Sequence, residues 1–170
     1  MAKKTQTSVP STRVWYGLAV TRILLGLIFL WAFFDKLFGL GFATPAARAW
    51  LNGGSPTTGF LKNVAGPFSD FFTAMAGSPV ADWLFMLGLF GIGVGLVFGV
   101  AVRLAAASGI VLVTLMWLAS FPLENNPLLD DHVVYASILA VIAFAAPQQK
   151  WSLVSWWVKL PVVKTLAWLK

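Results

Sequence analysis

At 170 residues, with 59% hydrophobic content, 11% charged residues and a mean hydropathy of +0.82, the chain is too apolar for a soluble domain of its size and predicts an all-α integral membrane protein. Its apolar runs are long and continuous, whereas a β-barrel would show alternation in segments of about ten residues. With no cysteine, the sequence predicts no disulfide, no cysteine-bound iron–sulfur cluster and no covalently attached haem within this chain, so redox chemistry would need a bound group.

Residues 1–12 are polar and carry Lys3 and Lys4, with Arg13 following, which resembles the start of a signal peptide. The run from Val14 to Phe34 has no convincing cleavage site and reads as an uncleaved first span, closing at Asp35 and Lys36. Arg22 lies inside it, about 12 Å of helical rise from its start. An arginine at that depth must snorkel to the interface or meet a polar partner inside the bundle.

Residues 39–79 form a connection punctuated by glycine, proline, serine and threonine, including Gly53-Gly54-Ser55-Pro56. So long a connection predicts structure of its own. Residues 46–51 and 58–64 suit short interfacial helices, and Phe68, Phe71, Phe72 and Met75 form an apolar cluster at helical spacing, so the segment reads as a lid.

Ser78-Pro79 is a helix start, with Asp82 in the first turn, and the second span is expected to reach residue 102. Gly91, Gly95 and Gly99 recur every fourth residue, a stripe that predicts close helix packing. Arg103 marks a tight hairpin. The third span, 104–121, opens with small residues from Ala105 to Gly109 that can meet that stripe, and carries Trp117 and Phe121 at its far interface.

The stretch from Pro122 to His132 holds Glu124, Asp130, Asp131 and the chain's only histidine, half of its six carboxylates among them. The apolar run after it, 133–146, is too short to cross a hydrocarbon core of roughly 30 Å, so the fourth span is expected to begin at Pro127 with Asn126 as its cap. That would place Asp130, Asp131 and His132 in the opening turns, where carboxylates complement the helix dipole. A solvated, well-capped turn is the plain alternative. Residues 147–170 form a basic tail in which Trp151, Trp156, Trp157 and Trp168 alternate with Lys159, Lys164 and Lys170, broken by Pro161 and suited to the headgroup layer rather than to nucleic acid.

With both termini on one side, that side holds eight basic residues and the other three, Lys36, Arg48 and Lys62, with Arg22 between. The positive-inside rule then places both termini in the cytoplasm of an inner (plasma) membrane protein. Residues 39–79, Asp35, Lys36 and the acidic stretch share the outer side.

Three chemistries suit that outer cluster. A divalent metal would use His132 with nearby carboxylates, but no recognised ligand spacing is present and none is assigned. Haem between two histidines is impossible in one copy of a chain with a single histidine. A quinone headgroup fits better: His132, with Tyr135 one turn on, can hydrogen-bond a carbonyl while neighbouring carboxylates exchange protons.

Arg22, the run from Trp31 to Pro45, the Gly53-Gly54-Ser55-Pro56 segment, and Pro122 to Pro127 followed by Asp130-Asp131-His132 together resemble the DoxX/DoxD family of four-span membrane proteins, over roughly residues 14–146. The resemblance implies a four-helix bundle. Its DoxD branch is known as the large membrane subunit of thiosulfate:quinone oxidoreductase, which works with a small DoxA partner, so it implies quinone as cofactor and thiosulfate as donor. The expected catalytic positions are Arg22, Glu124, Asp130, Asp131 and His132, with Asp35, Lys36, Asn125, Asn126 and Tyr135 contacting substrate. The tryptophan-rich tail lies outside the family pattern. A non-catalytic accessory subunit, packing through the Gly91/Gly95/Gly99 face and the tail into a homo-oligomer or larger complex, is the competing expectation.

Overall fold

The computed structural model describes residues 12–166 and 169; Lys3, Lys4, Trp168 and Lys170 of the predicted basic ends lie outside them. Four helices are long and apolar enough to cross a membrane: α1 (Thr12–Phe38), α4 (Pro79–Phe98), α5 (Val102–Ala119) and α6 (Asp131–Ala145), the last continued by a 3₁₀ turn to Gln148. Between α1 and α4 lie two 3₁₀ turns, Ala46–Arg48 and Trp50–Asn52, and the short helices α2 (Thr58–Leu61) and α3 (Ser69–Ala74). After α6 come α7 (Val154–Trp157) and α8 (Pro161–Thr165), so Pro161 does divide the tail, at a first helical position that needs no N–H. Among the described residues there is no strand, and the chain is a multi-pass helical membrane protein.

α1 packs along α4, and α5 along α6; the α4–α5 hairpin joins the two pairs, while α1 and α6 meet only slightly. The core is the seam they share: Leu25 and Phe29 from α1, Met86, Leu89, Ile92 and Leu96 from α4, Val113 from α5, Leu139 and Ile142 from α6. The outward faces are equally apolar, with Leu24, Leu84, Val111 and Phe144 all exposed. In water that would be costly; against lipid chains it is the expected surface.

The spans differ from expectation at their ends, and α1 runs Thr12–Phe38 rather than 14–36. The second span ends at Phe98 rather than 102, because Gly99 takes a left-handed φ of +68° and closes the helix. The third runs Val102–Ala119 rather than 104–121. The fourth begins at Asp131, four residues later than expected, because Asn126 and Pro127 make a turn and Asp130 is the cap.

The glycine stripe does not form one packing face. Residues every fourth position drift by about 40° per step on a helix. Gly91 has consequently turned outward with no neighbour within 4 Å, Gly95 meets Ala105 across the hairpin, and Gly99 is the cap. Close approach of α1 and α4 rests instead on Gly26, against Leu96 and Val97, and Gly93, against Leu30.

Candidate functional site

The two ends of the bundle differ in charge. The ends of α1 and α5, the start of α4 and α6, and both long connections gather at one end, which holds all six carboxylates: Asp35, Asp70, Asp82, Glu124, Asp130 and Asp131. At the opposite end lie Arg13, Arg103, Lys150, Lys159 and Lys164.

At the acidic end, two buried carboxylates organise the long connection. Asp35 accepts from the backbone N–H groups of Phe42 (3.3 Å) and Ala43 (3.1 Å), folding the chain back over the end of α1. Asp82 accepts from the Ser55 hydroxyl (2.8 Å), the Thr57 hydroxyl (2.6 Å) and the Thr57 N–H (3.2 Å), which pins the Gly53–Thr58 segment to the start of α4. Both are structural anchors. The sequence reading places Asp35 in the substrate site and Asp82 simply in the first turn of the second span; the signal for its role is the density of hydroxyl donors at residues 55–58. Leu61 and Phe72 pack on Ala119 at the end of α5, while Phe71 and Phe42 stay exposed. Lys36 holds its ammonium 5.9 Å from the Phe85 ring centre.

The acidic stretch builds a separate site between α5 and α6. Asn126 Oδ1 accepts from the N–H groups of Leu128 and Leu129, both at 2.9 Å, and the Trp117 indole donates to the Leu128 carbonyl at 3.1 Å. This turn holds Leu128 and Leu129 over a groove of about 420 Å³. α5 contributes Val113, Thr114 and Trp117 to its wall, and α6 contributes His132, Val133 and Ala136. Its size falls in the roughly 300–1,000 Å³ range of small-molecule sites, and its lining is apolar except for Thr114 and His132.

Asp130 sets the histidine. Its Oδ1 accepts from the His132 N–H (3.0 Å) and the Val133 N–H (3.4 Å), and its Oδ2 lies 2.7 Å from His132 Nδ1. Burial alone would raise the Asp130 carboxyl, but the hydrogen bond and charge of His132, with the two backbone donors, outweigh it and hold the group below the usual carboxylate range. An ionised carboxylate can only accept, so Nδ1 carries the proton and Nε2 is left to accept, or to donate when the ring is protonated. Among the described residues Nε2 has no hydrogen-bond partner.

Of the predicted site residues, the structure brings together Asp130, Asp131 and His132, with Asp131 Oδ1 3.6 Å from Nδ1. Asn126 shapes the turn through its Oδ1. Glu124 and Asn125 are exposed on it and make no hydrogen bond among the described residues. Tyr135 packs against the core. Asp130, Asp131 and His132 offer ligand atoms within 4.8 Å of one another, close enough to share a cation, yet both Asp130 oxygens are already committed to donors.

Arg22 does not join this site. It lies thirteen residues before Asp35 on the same helix, about 20 Å along the axis, towards the basic end. There its guanidinium donates to the carbonyls of Leu96 and Val97 at the end of α4, and of Lys150 (3.1 Å) and Trp151 (2.8 Å) beyond α6. The carbonyl end of α4 and two carbonyls of the irregular segment after α6 therefore compensate its charge, in place of a carboxylate.

Fold and site define a four-helix membrane protein with a laterally placed apolar groove and an Asp–His pair at its mouth. Compared with family models, curated proteins and solved structures, the chain matches none of them.

Proposed function

We propose that this chain is the quinone-binding membrane subunit of an oxidoreductase, and that the α5–α6 groove is the headgroup site. The single observation that carries this reading is His132: its ring lines a groove that is apolar apart from it and Thr114, and its Nδ1 is held by Asp130 at 2.7 Å. A quinone needs a greasy slot reachable from lipid and one hydrogen-bonding group that can also pass a proton. When bound it takes up two electrons and two protons. His132 Nε2 hydrogen-bonds the headgroup carbonyl and delivers a proton there, Asp130 stabilises the imidazolium and holds the ring's orientation, and exposed Asp131 links the pair to water. Leu128 and Leu129 shield the headgroup from the aqueous side.

The charge distribution supports an orientation with both termini in the cytoplasm of an inner (plasma) membrane, since one end carries all the carboxylates and the other, among the described residues, holds Arg13, Arg103, Lys150, Lys159 and Lys164. The groove then opens near the outer face. The resemblance to DoxX/DoxD proteins supports thiosulfate as donor: coupling two such anions through a sulfur–sulfur bond releases the two electrons a quinone accepts. A DoxA-like small subunit would dock on the outer connection, where Phe42 is 73% and Phe71 60% exposed. Those same side chains favour the second reading, an accessory subunit of a homo-oligomer or larger complex with no chemistry of its own.

Donor-dependent quinone reduction by the complex purified from membranes, compared with its His132→Gln variant, separates the two. The first reading expects turnover that falls at least tenfold in the variant. Turnover unaffected by the substitution, with the complex intact, favours the accessory role.

A further inference from the structure

The Arg22 node at the basic end takes no part in the proposed chemistry, and its hydrogen-bond inventory is incomplete. The side chain is 2% exposed, and its two terminal nitrogens reach the carbonyls of Leu96, Val97, Lys150 and Trp151. Among the described residues its Nε–H has no acceptor. Gln149, whose Nε2 donates to the Gly99 carbonyl at 3.2 Å, has a buried Oε1 with no donor. One unpaired donor and one unpaired acceptor thus belong to two side chains of the same node.

Both residues line one small pocket of about 10 Å³, together with Trp15, Ala19, Val102 and Ala145. That is about the space a single water requires. We propose that this cavity is an internal binding site for one water molecule, which accepts from Arg22 Nε and donates to Gln149 Oε1. An apolar occupant would leave both groups buried and unpaired, at a cost of about 1–3 kcal/mol each. An anion would face Gln149 Oε1 and the carbonyls that already surround the guanidinium, all presenting negative charge. A neutral ligand that both donates and accepts satisfies the site.

Arg22 already bonds α1 to the end of α4 and to the chain after α6; the bound water adds a bridge from Arg22 to Gln149, which itself holds the Gly99 carbonyl. A crystal structure at a resolution that shows waters, from crystals grown with bromide in place of chloride, tests it. The expected result is one peak within hydrogen-bonding distance of Arg22 Nε and Gln149 Oε1, without bromide's anomalous signal. Bromide at the peak, or the two atoms bonded directly with no peak between them, overturns the proposal. A thermal cycle gives a second reading: Ala145→Val, which fills the cavity, is expected to lower the unfolding midpoint more in the native chain than in a Gln149→Met background. Equal drops in both backgrounds would count against the water.

Discussion

The Asp130 carboxylate grips His132 twice, accepting from its backbone N–H at 3.0 Å and from its ring Nδ1 at 2.7 Å. One side chain therefore both starts helix α6 and fixes the imidazole, so structure and chemistry can be separated by choice of substitution. Asp130→Ala removes the cap and is expected to cost about 1 kcal/mol of stability. Asp130→Asn caps nearly as well but cannot stabilise a charged ring; its unfolding midpoint should stay near that of the native chain while quinone turnover falls about tenfold or more. Calorimetry in detergent beside a turnover assay checks both.

The same pair predicts a pH dependence. The Asp130 carboxyl titrates lower in the folded protein than in the unfolded chain. Its contribution is therefore complete above the unfolded value, about 3.9, and is lost as pH falls through the lower folded value. Unfolding midpoints measured across the acid range should decline more steeply for the native chain than for Asp130→Asn.

Gly99 and Gly91, equivalent by spacing, should respond oppositely to alanine. At Gly99 the backbone is left-handed, and an added Cβ would lie 2.4 Å from Ser152 Cβ and 2.6 Å from Arg22 Nη1. Strain and displacement of the guanidinium together should destabilise Gly99→Ala by roughly 2–4 kcal/mol. At Gly91 nothing lies within 4 Å, so Gly91→Ala should be neutral or stabilising by about 0.5–1 kcal/mol. Thermal unfolding of the two variants side by side reads the difference.

Arg22→Met should free the tail. Its loss leaves the carbonyls of Lys150 and Trp151 without their donor and unlatches the segment that follows α6. Trypsin is expected to cut after Lys150 and Lys159 several-fold faster than in the native chain, while the four spanning helices stay protected. Unchanged cleavage would mean that the Leu153 N–H bond to the Phe98 carbonyl, at 2.9 Å, holds the tail unaided.

The spanning helices were readable because a long apolar run is a one-dimensional signal that needs no knowledge of partners. The start of α6 was harder: Asn126-Pro127 and Asp130 are both valid caps, and the choice went to Asp130 because Asn126 spends its oxygen on the Leu128 and Leu129 N–H groups. Arg22 was recognised as needing a polar partner, but its partners are backbone carbonyls 74 to 129 residues away, which no residue type announces. Asp82 was opaque for a related reason, since its donors arrive from a connection whose fold depends on it. The groove itself was illegible. Leu128 and Leu129 look like helix interior in sequence, and only the turn shows them roofing a cavity beside His132.

The most direct measurement uses the fact that the untagged chain has a single histidine. Protein labelled with nitrogen-15 histidine in lipid nanodiscs reports one imidazole, and a short-chain quinone can be titrated against it. A saturable shift of Nε2 with Nδ1 little changed, abolished when Ala136→Phe fills the groove, is the predicted result. An Nε2 resonance unmoved at saturating quinone, in protein that remains folded, would contradict the placement of the headgroup beside His132.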